Sequence, residues 1–178
     1  MNYKIVTHSK KLLSDTLTPV NIYLKLRDVF AGSILLESSD YHGQENSLSM
    51  ICCEPIASFK VRKNTVELRF PDGKVEERQL SDSNFIQELD SFRTAFTTDI
   101  NPAKNGFSGC GLFGYMAYDA VKFFEDVKID DSADDIPEVY YALYRYVIVV
   151  NHFTNELSLF ENGVEGTNER GIGRVEQL

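Results

Sequence analysis

Residues 34–39 read Ile-Leu-Leu-Glu-Ser-Ser, an aliphatic run that passes into a carboxylate and two hydroxyls with no turn residue between. Glu37, at the rim of such a strand, can accept from an ammonium group. Ser38 can pair with either end of a zwitterion, and Leu36 and Met50 are apolar neighbours able to hold a ring. These are the contacts a small amino acid needs. A strand that simply leaves the core for solvent reads the same way, and taken alone that plainer reading is the commoner.

Other chemistry is scarce. His8, His42 and His152 sit in dissimilar contexts, and none stands four residues from another, so a helical metal pair is absent. There is no G-x-S-x-G, P-loop or H-E-x-x-H. Asp130, Asp131, Asp134 and Asp135 lack the glycine and terminal glutamate of a calcium loop and read as a solvated acidic segment. Gly109, Gly111 and Gly114 spell G-x-G-x-x-G, but a loop precedes them and an aromatic, acidic stretch follows where a pyrophosphate would sit. Glycines that let another backbone or a ring approach a strand are the better reading. Cys52, Cys53 and Cys110 are odd in number with no C-x-x-C spacing, which fits a reducing cytoplasm and small buried side chains.

The net charge of −9 disfavours phosphate backbones and anionic membrane surfaces as partners. The opening MNYKIVTHSKKLL has no apolar signal region, and the run Tyr146–Val150 is far too short to span a bilayer. A cytoplasmic protein that binds neither nucleic acid nor membrane is expected. The 178 residues suffice for one domain with a real core.

The elements that must carry these residues follow from pattern. Residues 3–7 predict a short strand. Thr18-Pro19 opens a helix that Gly32 is expected to close. Residues 33–38 predict a strand buried on both faces, and 47–53 another. Residues 57–80 predict a meander with turns at Lys63-Asn64 and Pro71-Asp72-Gly73. Helical spacing covers 83–97, capped by Ser81 or Ser83. Gly111–Tyr115 predicts a strand passing into a helix, 138–152 a central strand, and 155–162 its hairpin partner. The fold class is α+β, with mainly antiparallel sheets and a few outer helices.

Four ordered stretches resemble one known family. They are TPVNIYLKLR (18–27), LLES (35–38) with SLSMICCEP (47–55), FSGCGLFGYMAYDAVKFFE (107–125) and DIPEVYYALYRYVIVVNHFTNELSLF (135–160). Together they resemble the N-terminal region of component I of anthranilate synthase, and of its relative the aminodeoxychorismate synthase large subunit. Gly109, Gly114, Tyr115, Tyr118 and Asp119 match the family's structural motif. Lys122 stands where arginine is usual, Asn151 where aspartate is usual, and Ser47-Leu48-Ser49 where Arg-Tyr-Ser is usual.

The resemblance implies a lyase that turns chorismate and ammonia into anthranilate and pyruvate in tryptophan biosynthesis. It implies a glutamine amidotransferase partner, component II, as the ammonia source. Chorismate and magnesium are expected in a C-terminal domain outside this chain, so no catalytic, cofactor or metal residue is expected here, and the fragment alone is expected to be inactive. The family's LLES segment implies an L-tryptophan feedback site built from Ser38, Glu37, Leu36, Ser49 and Met50. Residues 1–162 are expected to form the N-terminal domain of a larger interleaved, sandwich-like fold. Residues 163–178 are expected to be a polar linker or the start of the chorismate domain, and the uncovered apolar face implies possible self-association. Two other readings stay open: the corresponding part of aminodeoxychorismate synthase, and a free-standing amino-acid-binding module.

Overall fold

A computed structural model describes residues 2–14, 16–37, 47–81, 84–99, 109–127, 129, 136–167 and 171–176. Within these the chain forms nine strands and a few short helices, an α+β fold. The strands are β1 (Tyr3–Leu13), β2 (Ile34–Glu37), β3 (Leu48–Arg62), β4 (Thr65–Arg69), β5 (Val75–Gln79), β6 (Phe96–Thr98), β7 (Leu112–Met116), β8 (Val139–Asn151) and β9 (Glu156–Val164). The α-helices are α1 (Pro19–Arg27), α2 (Phe85–Thr94) and α3 (Gly173–Glu176), with a 3-10 helix at Tyr118–Phe123. Contacts divide the chain into two compact units, and β3 and β8 each run from one into the other.

The first unit holds Met1–Tyr3, Ile56–Thr97 and Leu112–Leu143. Its meander is as the turn chemistry requires. Arg62 pairs with Thr65 across Lys63 and Asn64, whose φ of 47° and 59° give the left-handed two-residue turn that matches strand twist. Gly73, at φ 84°, turns β4 into β5. The core is aromatic: Phe85 stacks on Phe123 at 4.8 Å, and Phe92 meets Phe96 edge-on at 5.1 Å.

The second unit holds Lys4–Pro55, Thr98–Gly111 and Tyr144–Leu178. β9 pairs with β8 on one side and β1 on the other, all antiparallel. Thr18 Oγ1 accepts from the Asn21 N–H at 3.2 Å and caps α1, with Pro19 in its first turn. Alternate residues of β8 and β9 (Tyr146, Ile148 and Val150; Leu157 and Leu159) meet Leu26 and Phe30 in one buried cluster with Ile51, Cys53 and Val175. Each such burial stabilises by about 1.5–3 kcal/mol.

Several expectations need correction. The 47–53 strand and the start of the meander are one 15-residue strand. Glu54 takes a φ of 59° within it, and its carboxylate pairs with Arg145 Nε at 3.1 Å, so a local kink is absorbed without ending the pairing. α1 ends at Arg27 with Asp28 as its C-cap, and Gly32, at φ 76°, turns the chain later. The cap of α2 is Asn84, and Phe96 belongs to β6. The expected cap Ser83 and most of the acidic segment 126–138 lie outside the described residues. β2 is not fully buried on its two faces: Ile34, Leu35 and Leu36 are half-buried and Glu37 is exposed. Among the described residues its ladder partner is β3.

Candidate amino-acid site at the end of β2

The register of β2 on β3 decides which candidate residues meet. Leu36 stands opposite Met50 and Glu37 opposite Ser49. Directly opposed residues share a face, and successive residues alternate. Leu36 and Met50 therefore lie on one face, Glu37 and Ser49 on the other, together with Leu35 and Ile51 of the buried cluster. The four do not converge on a single face; they bracket the end of the strand. Ser38 lies outside the described residues.

Glu37 is exposed, whereas Ser49 is only 1% exposed. The Ser49 hydroxyl lies 2.7 Å from His152 Nε2. His152 also donates its backbone N–H to the Ser47 carbonyl at 3.0 Å. The turn that carries it is held by Asn151, whose Oδ1 accepts from the N–H groups of Phe153 at 2.9 Å and Thr154 at 3.0 Å. In the sequence His152 is one of three histidines in dissimilar contexts, with nothing local to tie it to β2. The available signal was Asn151, an Asx-turn former at the end of a strand, which directs the next residue back onto a neighbour.

The glycine motif has its own geometry. Gly109, at φ 62°, lies against the Phe160 ring, and a Cβ there would stand 2.6 Å from Phe160 Cβ. Gly114 lies in β7 against Tyr140 of β8. Tyr115 sits 6.3 Å from the Tyr140 ring, Tyr118 is 84% exposed, and Asp119 is in the first turn of the 3-10 helix. These residues are apart from the β2 site in sequence, and the two glycines are the ones against which other groups pack closely. Among the described residues no group of three or more His, Cys, Asp or Glu is placed to hold a metal ion. No helix among them is long and apolar enough to cross a membrane.

No family model matches the chain. A search of curated proteins finds Anthranilate synthase component 1 of Aquifex aeolicus, 30% identical over 176 residues, covering 95% of this chain and 35% of that protein. The protein of the same name from Pseudomonas aeruginosa is 27% identical over 182 residues, covering 99% and 36%. That from Thermus thermophilus is 28% identical over 170 residues, covering 90% and 33%. Among solved structures, anthranilate synthase component I from Streptococcus pneumoniae TIGR4 matches 94% of this chain and 34% of its own, at a TM-score of 0.52 and 16% identity. The fold is thus the mainly antiparallel α+β scaffold that this solved structure shares. Within that class, the chain is a relative of anthranilate synthase component I, and it spans about a third of the length of the relatives it matches.

Proposed function

We propose that this chain is the N-terminal regulatory and structural part of an anthranilate synthase component I and carries one wall of its L-tryptophan feedback site. The observation that supports this reading is the β2–β3 register, which sets Leu36 beside Met50 and Glu37 beside Ser49 at the point where β2 ends. In this reading the ligand sits at the tip of the strand, where both faces are within reach. Glu37 receives the ammonium, Leu36 and Met50 flank the ring, and Ser38 adds a hydroxyl.

The whole protein would convert chorismate and ammonia to anthranilate and pyruvate in the cytoplasm. Chorismate and magnesium would be held by segments other than this chain, and a glutamine amidotransferase, component II, would supply the ammonia. The 178 residues alone would be inactive. A wall of a pocket leaves an indole partly wet, so the isolated chain would bind tryptophan weakly.

Inhibition would work by linkage. Tryptophan favours an arrangement that holds chorismate or the amidotransferase less well, and a coupling of about 1–3 kcal/mol suffices. Ser38→Phe and Ser38→Arg in the full-length protein test this. Both should relieve inhibition by L-tryptophan, with turnover in its absence as the reference. Inhibition as strong as in the parent would reject the site.

A further inference from the structure

We propose that His152 supplies the hydrogen-bond donor for the carboxylate of the amino acid bound at the end of β2. This rests on the amino-acid-site reading above and adds to it a residue from the turn that follows β8.

The argument begins with the proton of Ser49. Its hydroxyl is buried, and His152 Nε2 is its side-chain partner among the described residues, at 2.7 Å. A buried hydroxyl hydrogen needs an acceptor. Were Nε2 to carry the ring hydrogen and donate to Oγ, the hydroxyl hydrogen would be left in the interior with no acceptor among the described residues. The arrangement that satisfies every group has Ser49 Oγ–H donating to Nε2. The ring hydrogen of the neutral imidazole is then on Nδ1.

That leaves an N–H donor on an exposed ring, and no described side chain takes it. The donor is held in place at three points: the Ser49 bond, the His152 N–H to Ser47, and the Asn151 turn. The acceptor for the opposite end of a zwitterion is one strand away. Glu37 is the cross-strand partner of Ser49, and directly opposed residues lie about 5 Å apart on one face. A carboxylate and an N–H donor therefore flank a buried serine that touches one and opposes the other. This pair suits an α-amino acid, with its ammonium toward Glu37 and its carboxylate toward His152. A simple amine would use only half of it. Ser49 then acts through His152, orienting the ring without touching the ligand.

The test is calorimetric titration of the full-length protein with L-tryptophan and with tryptamine, which keeps the ring and the ammonium but lacks the carboxylate. The parent should prefer L-tryptophan. His152→Phe should weaken L-tryptophan by about 10- to 100-fold, the size expected for a lost hydrogen bond to a charged group, and leave tryptamine unchanged. His152→Gln, which keeps an N–H donor, should recover part of the preference, and Ser49→Ala should lose a smaller part. Thermal unfolding of each variant reports its integrity. Loss of both ligands together, or of neither, in folded His152→Phe and His152→Gln would overturn the assignment. A parent protein that binds neither compound would instead sink the amino-acid site itself.

Discussion

Gly114 lies on the backbone of Tyr140. A Cβ built on it would stand 2.8 Å from the Tyr140 carbonyl carbon and 2.9 Å from Tyr141 Cα, and nearer still to the Tyr140 oxygen. None of these atoms can move without parting β7 from β8, because Gly114 pairs with Tyr141 in the ladder. Gly114→Ala should therefore cost about 2–3 kcal/mol, the range for overfilling a packed site. Gly173→Ala is the control. Its Cβ would meet nothing within 4 Å, and its effect should stay within about 0.5 kcal/mol. Urea unfolding of the two variants decides the matter: equal midpoints would mean that the close approach is not what Gly114 serves.

Lys122 and Glu138 form an ion pair at 2.8 Å, with side chains only 13% and 11% exposed. One carboxylate oxygen takes the ammonium, and Glu138 Oε2 is buried with no hydrogen-bond partner among the described residues. Removing the cation strands a buried charge, so Lys122→Met should lose about 3–5 kcal/mol. Lys122→Arg offers a two-pronged donor to both oxygens and should hold or raise stability by up to about 1 kcal/mol. Chemical denaturation of both variants gives the comparison. A Lys122→Arg protein weaker than Lys122→Met would refute the pairing.

The sequence spoke clearly where a local rule acts alone. Thr18-Pro19 opens α1, Lys63-Asn64 closes its hairpin, and β8 is as long and as central as its β-branched and aromatic content suggests. It spoke poorly where a distant partner decides. Nothing within residues 47–62 says that the strand survives Glu54, because the stabilising partner is Arg145, far along the chain. The 33–38 run looked doubly buried since apolarity does not say how deeply each face is covered, and the aliphatic side chains of β2 are half-buried. The candidate site divided in the same way. Leu36, Glu37 and Met50 follow from their types and Ser49 from the family resemblance, but their split between two faces is a matter of register, and His152 meets Ser49 only through tertiary contact.

Tyr3 reports on alkaline stability. Its hydroxyl donates to Asp72 Oδ2 at 2.8 Å, and its ring stacks on Phe70 and Phe96 at 5.8 and 5.7 Å. Removal from water, and then the bond to Asp72, push the phenol from 10.0 up to about 12. The folded chain prefers the neutral phenol, so this contribution is complete below pH 10.0 and is lost as the pH rises toward about 12. Asp72 behaves oppositely. The Lys74 N–H and then Tyr3 hold its carboxyl below 3.8, so its share stands above that pH and is lost in acid. Thermal unfolding across the alkaline range should show the parent losing Tm more steeply than Tyr3→Phe. Parallel curves would remove Tyr3 from the account.

Asn162 is fully buried and spends all its hydrogen bonds on three separate segments. Its Oδ1 accepts from Thr7 Oγ1 at 2.7 Å, and its Nδ2 donates to the carbonyls of Gly109 at 3.0 Å and Tyr144 at 2.9 Å. The amide thus ties β1, β8 and the glycine motif together, beside the Phe160 ring that already fixes Gly109. Asn162→Asp keeps the shape but replaces two donors by a carboxylate oxygen facing two carbonyl oxygens. At neutral pH this should cost about 3 kcal/mol or more, since a charge is buried without a partner. Both burial and the carbonyls raise the pKa of the new carboxyl above its unfolded value, so the folded variant takes up a proton more readily than the unfolded chain. Its deficit relative to the parent should therefore shrink as the pH falls from about 7 to about 5, once a protonated carboxyl can donate to one carbonyl. Asn162→Ala has no proton to gain, and its deficit should stay level over the same range. Tm measured against pH for the three proteins separates the cases, and a level Asn162→Asp deficit would show that the two carbonyls do not depend on the amide.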